Sequence, residues 1–487
     1  MLTNLRIRNF KAWEDTGDIR LAPITLFFGA NSSGKSSIGQ FLMMLKQTTE
    51  SPNRKEVLNT GSNVNDAVKL GSFRDMVYSR DPDKHILFTY TWKSLSSNFT
   101  ITDPVNRRTY PVDSFSFSAD IGLDHQRKDD LTVYRFDYRV SDRLTEQLSV
   151  GYQKNDVPEP TYSVNTTAYS LERNPSGERP FQTPYQFYGF PDEVVASYQN
   201  ISFVQDLVFE HRYQFEYLYY LGPLRVAPER TYTWNGSKTD SVGYSGELTV
   251  AALLGARQKK VGVPGKRPKT LAPDSVFHNP DDELFTIPEI ISHELAEMGL
   301  VDDLSTQHIE QLDSVYKVEV RVPNTSKSVD LADVGFGVSQ VLPVLVQCFC
   351  APSNSIIILE QPEMHLHPRA QAALADVMID VINSHEPWRS KNIQLIIETH
   401  SEHFLRRLQR RIAEDKLPKE MLAAYFAEMN NGEARLNELQ IDEYGNIRNW
   451  PKDFFGDDDN NDIMEHSLAA INKRIALKAN GHTTAKE

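Results

Sequence analysis

Gly29-Ala-Asn-Ser-Ser-Gly-Lys-Ser36 fits the phosphate-loop spacing G-x-x-x-x-G-K-[ST]. Upstream, Ile24-Thr-Leu-Phe-Phe28 reads as a strand; downstream, Ile38, Phe41, Leu42 and Leu45 recur at helical spacing. The pattern therefore sits between a strand and a helix, the setting its chemistry needs. Glycines let the backbone turn tightly enough to aim successive N–H groups inward. The helix start adds partial positive charge. Gly29, Asn31, Ser32, Ser33, Gly34, Lys35, Ser36 and Ser37 are the expected nucleotide-binding residues. Lys35 would reach the β- and γ-phosphates of ATP, and Ser36 would hold Mg²⁺. The bland alternative is a chance Gly/Ser turn before a helix.

Four further elements follow in order. Leu331-Ala-Asp-Val-Gly-Phe-Gly-Val-Ser-Gln340 leads into a buried helix, so Gly335, Gly337, Ser339 and Gln340 suit a γ-phosphate contact at a helix start. Ile356-Ile-Ile-Leu-Glu-Gln-Pro-Glu363 is an apolar strand ending in acidic and amide groups. Glu360 there can hold the Mg²⁺ water shell, and Gln361 can position an attacking water. Met364-His-Leu-His-Pro368 comes third. Ile396-Ile-Glu-Thr-His400 is a strand ending in a histidine able to reach a γ-phosphate.

The chain has 487 residues, enough for about three domain-sized units. It is 40% hydrophobic and 24% charged, ordinary for a globular protein. The N-terminus reads as a polar–apolar strand and not as a basic-plus-apolar leader. The apolar region Val338 to Leu359 is interrupted by Pro343, Pro352 and Asn354, which argues against a membrane span. Cys348 and Cys350 are the only cysteines. Their alternate spacing on a helix does not suit a mutual disulfide, and two thiols alone make no zinc site. A cytoplasmic protein is the expectation.

Net charge is −14, which argues against broad nucleic-acid coating. Two local basic clusters keep nucleic-acid contact possible: Lys259, Lys260, Lys266, Arg267 and Lys269 in a loop, and Arg406, Arg407, Arg410 and Arg411 on a helix. A solvated loop and a solvated helix face are the plainer readings of both.

Alternating strands are predicted at 85–92, 114–118, 132–136 and 148–152, a helix over about 193–220, and mostly irregular chain over 235–285. A helix near 288–297 and strands near 316–322 and 328–331 follow. After 330, short continuous apolar strands alternate with helices, which argues for a sheet covered on both faces.

The order of these motifs resembles the ABC-type ATPase heads of the SMC/RecF group, and within it the overcoming-lysogenization-defect class and its relatives in bacterial anti-phage systems. Leu5 to Trp13, Tyr219-Tyr-Leu-Gly-Pro-Leu-Arg225 and Leu439 to Phe455 also resemble segments of such proteins. The fold class implied is α/β, an ABC-type P-loop NTPase head with a mainly β insertion and a helical insertion. The expected division is 1–85 and 326–455 for the head, 86–190 for the β-rich insertion, 191–325 for a helical or irregular insertion, and 456–487 for an acidic loop and tail. By the resemblance, Gly29 to Ser37 are Walker A, Glu360 is the Walker B acid, Gly335 to Gln340 the signature, His365 and His367 lie in the D-loop region, and His400 is the switch histidine. Ser36 and Glu360 become the metal residues. A homodimer or larger homo-oligomer around ATP is implied.

Two departures matter. Relatives commonly carry Asp-Glu where this chain has Glu360-Gln361, and Gln361 cannot take a proton. Hydrolysis is therefore expected to be slow, with Glu363 the next base and Glu398 after it. The Toprim nuclease of the overcoming-lysogenization-defect class needs about 100 residues or more of its own, and 87 residues follow His400. Nuclease or toxin activity is therefore expected from a partner effector. The alternatives are an ATP-locked scaffold that sequesters an effector, and a RecF-like DNA-repair ATPase.

Overall fold

The computed structural model describes residues 1–451 apart from 62, 64–65, 95–98, 126–128, 156–160, 176–179, 269–283, 310–311, 313, 326 and 431. The expected tail at 456–487 and Lys269 lie outside the described residues. The chain forms two units. One comprises Met1–Leu21, Ala30–Leu218 and Ala427–Leu436; the other comprises Ala22–Gly29, Tyr219–Phe426 and the chain from Asn437 on.

The first unit is built on an antiparallel sheet in the order Thr161–Thr167, Thr145–Asn155, Asp130–Asp142, Ser114–Asp124, Ile86–Lys93, Leu2–Phe10 and Trp13–Asp15. Ile86, Phe88, Tyr90 and Trp92 alternate inward, as a half-buried strand requires. The Lys35–Glu50 helix lies against this face, with Phe41 edge-on to Phe10 at 5.2 Å and to Phe88 at 5.1 Å. His211 is fully buried beside it, accepting from or donating to Tyr90 Oη at 2.7 Å and Tyr138 Oη at 2.9 Å. Burial holds this imidazole far below its ordinary value, so it is neutral, and two hydroxyls satisfy both ring nitrogens.

The expected boundary at 85/86 falls inside this sheet. Leu2–Phe10 pairs with Ile86–Lys93 from Leu2↔Trp92 to Arg8↔Leu87, so the first strand and the β-rich segment share one sheet. The helix expected over 193–220 is also corrected. It breaks into Asp192–Ser197 and Phe203–Glu216. Buried Asn200 sits in the break, giving its amide N–H to Ser170 O at 2.9 Å and accepting from Glu172 N–H at 2.9 Å, bonds a helix interior would not offer. After Glu216 the chain turns extended as Leu218–Leu221, a Leu-Tyr-Tyr-Leu run of strand-favouring composition.

The sheet of the second unit runs Leu218–Leu221, Ile356–Glu360, Gln394–Glu398, Ile24–Gly29 and on to Leu422–Asn430. Ile356–Glu360, Gln394–Glu398 and Ile24–Gly29 pair in parallel. The first two are buried at every position, as strands covered on both faces must be. The Phe336–Cys350, Pro368–Asn383 and Glu402–Ala413 helices contribute Leu345, Leu374 and Leu408 to the same core. Residues 219–426 cluster with this core and residues 191–218 with the first unit, so 191–325 does not form a separate body. The irregular reading of 235–285 missed the Thr249–Gly255 helix and the Lys260–Val261 strand paired with Phe285–Thr286. Four further strands, Tyr232–Thr233, Asp303–His308, Val315–Arg321 and Ser328–Asp330, make a small antiparallel sheet.

Lys266 Nζ stands among Glu294 (2.7 and 2.8 Å), Glu297 (2.7 Å) and Asp380 (2.8 Å). Three carboxyls facing one ammonium cannot all ionise cheaply in a buried place. Burial raises the Glu294 carboxyl to about 7, against the pull of Lys266. A raised acid stabilises the fold below its ordinary value near 4.5 and loses that contribution as pH climbs through about 7. The melting temperature is therefore expected to fall from about pH 5 to about pH 8, and to fall less in Glu294→Gln. Parallel pH profiles for the two proteins would remove this account.

Candidate functional site

In the second unit, the carboxyl ends of three parallel strands lie side by side. Glu360 is in register with Glu398, and Glu398 with Phe27, two residues before Gly29. Open α/β sheets bind ligands at this edge. From Gly29 the chain passes directly into the phosphate loop, whose remaining residues belong to the first unit.

Within that loop, Gly29 (φ 138°), Ser32 (φ 62°) and Gly34 (φ 91°) take left-handed backbone, which bends the chain into a tight cradle. The φ of Gly34 favours glycine, and a Cβ there would also lie tight against the Trp13 ring at 3.1 Å and Ala12 Cβ at 3.2 Å. Trp13 Nε1–H donates to Ser37 Oγ at 2.8 Å and to Gly34 O at 3.2 Å, which pins the loop's exit. Ser37 Oγ is itself turned onto Gly34 O, so its hydroxyl supports the loop from within. The helix beginning at Lys35 leaves first-turn N–H groups with no intrahelical acceptor. Lys35 is buried, and its Nζ donates to Ala30 O at 2.7 Å and lies 3.5 Å from Ser33 Oγ. Asn31 and Ser32 are exposed, and Ser36 is half-buried in the first turn. This donor set suits phosphate oxygens, and the Ser36 hydroxyl in the first turn could offer an oxygen to Mg²⁺.

In the second unit, Glu360, Gln361, Glu363, Glu398 and His400 come together. Gln361 N–H donates to Glu398 O at 2.8 Å, and His400 N–H donates to Glu363 Oε1 at 2.8 Å. Gln361 takes φ 45°, a left-handed conformation that costs a non-glycine residue about 1 kcal/mol or more. Glu363 is buried, with Oε2 lacking a partner among the described residues. Burial raises its carboxyl above the ordinary range, while the His400 N–H and Arg225 pull it down. His400 is exposed.

Gly335 precedes the Phe336–Cys350 helix. A Cβ on Gly337 would meet His365 O at 3.3 Å, and the Phe336 ring meets His365 edge-on at 5.2 Å, so the helix start and the 364–368 segment are neighbours. Ser339 Oγ turns back to Phe336 O at 2.9 Å, and Gln340 is buried. His367 caps the Pro368–Asn383 helix, its Nδ1 accepting from Arg369 N–H.

Two residues that sequence reasoning had not placed in the site hold this corner. Tyr220 Oη donates to Glu360 Oε1 at 2.9 Å. Burial and the neighbouring carboxylates Glu360 and Glu398 keep the phenol protonated, well above its ordinary range. Arg225 Nη2 donates to Glu360 O at 3.0 Å and lies 3.4 Å from Gln361 O. Burial draws this guanidinium down to about 10, with Glu363 opposing. The signal was present in Tyr219 to Arg225, where a strand end is followed by Gly-Pro and an arginine. Arg225→Ala is expected to lower stability by about 3 kcal/mol, because two carbonyls lose a charged donor in a buried place. Denaturant unfolding measures it, and a loss under about 1 kcal/mol would show that the corner holds without it.

The expected basic faces are largely neutralised. Arg406 pairs with Glu402, Arg410 with Glu414 at 2.7 Å, and Arg411 with Asp376 and Glu414, both at 2.6 Å; Arg407 lies 3.7 Å from Asp376. In the loop, Lys259 pairs with Asp240, and Lys266 with the three carboxyls above. His293, Glu294 and Glu297 come close enough to hold a metal, but Lys266 already supplies the cation there. Cys348 and Cys350 are buried free thiols.

Residues 1–166 match a family model described as AAA ATPase domain, and residues 260–406 one described as AAA domain, putative AbiEii toxin, Type IV TA system. Two models of AAA domains thus match, one over the phosphate loop and the other over Glu360 and His400. Residues 417–465 match a model described as Protein of unknown function (DUF3696). No curated protein matches the chain. Among solved structures, the SMC head domain from Thermotoga maritima is 10% identical, with 90% of this chain and 99% of that chain covered at a TM-score of 0.38. The Smc head domain with an extended coiled coil, bound to the C-terminal domain of ScpA, from Pyrococcus furiosus is also 10% identical, covering 90% and 96% at a TM-score of 0.34. Both likenesses are loose. Among the described residues no helix is long and apolar enough to cross a membrane.

Proposed function

We propose that this chain is a Mg²⁺-ATP-dependent ATPase that associates with further copies of itself around ATP and governs a separate effector, a nuclease or toxin, in anti-phage defence. The observation that carries the ATPase reading is that Ile24–Gly29, paired in parallel beside Gln394–Glu398, runs straight into the Gly29–Ser36 loop, which puts Lys35 and Ser36 at a helix start. The match of residues 260–406 to a model named for a putative AbiEii toxin supports the effector setting.

Bound Mg²⁺-ATP supplies the phosphoryl group and the metal charge that neutralises its oxygens. Lys35 and the first-turn N–H groups would hold the phosphates, Ser36 would offer the metal its hydroxyl, and Glu360 is the acid expected to serve the metal's water shell. Tyr220 and Arg225 fix Glu360 and the Gln361 turn so that neither must reorganise during reaction. Gln361 orients water. Glu363 is the proton acceptor, since a buried carboxyl raised toward neutrality suits that task. His400 faces solvent for the γ-phosphate, and Gly335, Gly337, Ser339 and Gln340 belong to the signature segment that would meet a second copy's nucleotide.

One observation favours a second reading, the ATP-locked scaffold: Gln361 offers no proton acceptor where relatives place one. Steady-state ATP hydrolysis by the purified protein, with Lys35→Ala as the blank, separates the two. Turnover above the blank supports the enzyme. ATP retained without turnover supports the scaffold. The RecF-like DNA-repair reading loses its footing as the helix arginines are taken up by carboxylates.

A further inference from the structure

At the carboxyl end of the Lys35–Glu50 helix, wholly within the first unit, lies a cavity of about 470 Å³. Its walls include Arg54, Arg212, Tyr185 and Tyr188. Arg212 stands on the Phe203–Glu216 helix, and Arg54 follows the Lys35–Glu50 helix by four residues. The tyrosines come from a tight loop closed by paired bonds, Tyr185 N–H to Gly189 O at 2.9 Å and Gly189 N–H to Tyr185 O at 2.8 Å. A Cβ on Gly189 would stand 2.8 Å from Tyr185 O, so the loop needs glycine there. Gln186 fastens the loop to the helix end, its Nε2 donating to Thr48 O at 2.5 Å and to Ser51 O at 3.2 Å. Its backbone N–H donates to Arg54 O at 2.9 Å. Tyr188 is buried and stacks on His211 at 4.4 Å. The cavity is thus framed by fixed elements.

Its charges are unusual for this chain. The sequence carries 66 acidic against 52 basic residues, so an arginine finds a carboxylate easily. Neither Arg54 nor Arg212 pairs with one among the described residues. The two acids in the same wall are engaged elsewhere: Glu50 holds Lys46 at 2.6 Å, and Asp192 accepts from Tyr185 Oη at 3.3 Å. The Arg54 guanidinium lies 5.7 Å from the Tyr185 ring centre. Burial pushes the Tyr188 phenol up to about 12, with both arginines opposing.

We propose that this cavity binds a mononucleotide, distinct from the ATP of the phosphate loop, with Arg54 and Arg212 on its phosphate and Tyr185 beside its base. Guanidinium forks match phosphate oxygens two at a time. Aromatic faces receive a planar ring, and the volume falls within the range of small-ligand sites. The site is independent of hydrolysis at the phosphate loop.

The test uses full-length Lys35→Ala protein in EDTA, which disables the phosphate loop, with AMP as the probe in titration calorimetry. One equivalent of AMP is expected to bind. Arg54→Ala combined with Arg212→Ala should weaken it at least about tenfold, and Arg54→Lys with Arg212→Lys by less, since point charges remain. Both arginines are exposed, so the melting temperature should stay put. Absence of AMP binding, or equal binding by the double alanine variant, overturns the proposal. Binding of a glutamate-rich peptide in place of AMP overturns it as well, and assigns the cavity to an acidic protein segment. Inorganic phosphate that competes with AMP would confirm the phosphate end of the site.

Discussion

With alanine at position 35, ATP affinity is expected to drop by roughly a hundredfold or more. In the free protein the Lys35 ammonium is buried and satisfied by Ala30 O at 2.7 Å. Nucleotide phosphates would offer it charged acceptors in place of a neutral carbonyl, and each such bond is worth about 1.5–3 kcal/mol. Losing one or two corresponds to about one to four powers of ten in Kd. The loop keeps its other supports, the Trp13 contacts to Gly34 and Ser37, so circular dichroism and melting should change little. Binding of a fluorescent ATP analogue reads the loss directly. Native-like affinity in a folded Lys35→Ala protein would mean that nucleotide is held elsewhere.

The second large effect has the opposite sign. Gln361→Glu is expected to raise ATP turnover at least about tenfold, because a positioned general base contributes about 10²- to 10⁴-fold and an amide supplies none of it. The substitution is close to isosteric and leaves the left-handed turn and its N–H bond to Glu398 O in place. Glu363→Gln supplies the counterpart. If Glu363 accepts the proton in the native protein, that variant loses turnover while Gln361→Glu on top of it restores some. Turnover unchanged by Gln361→Glu would remove Gln361 as the limiting element. Turnover unchanged by Glu363→Gln would remove Glu363 as the base.

Legibility followed the range of the interactions involved. The strand, loop and helix around Gly29–Ser36 could be read because spacing, glycine demand and periodicity all act within a few residues. Ile356–Glu360 and Gln394–Glu398 were legible because burial on both faces leaves a continuous apolar run. The pairing of Leu2–Phe10 with Ile86–Lys93 was not, since no local pattern reports which strand lies next to which. Leu218–Leu221 was read as helix because leucines and tyrosines suit either state, and the neighbour that decides it is 135 residues away in sequence. Arg225 was visible as a residue but not as a support, because the carbonyls it holds become adjacent only through the fold. The basic helix looked open for the same reason: Asp376, which neutralises Arg411, comes from another helix.

The Lys35–Glu50 helix has 13 of its 16 residues buried and runs about 24 Å. Enclosed along its length, it has little freedom to flex locally, so it shifts as one piece or hardly at all. Whatever tilts its far end therefore changes the fit of the phosphate loop at its start. Thermodynamic reciprocity sets the size of that conversation: any factor by which a ligand at the arginine cavity tightens or loosens ATP is the same factor by which ATP tightens or loosens that ligand.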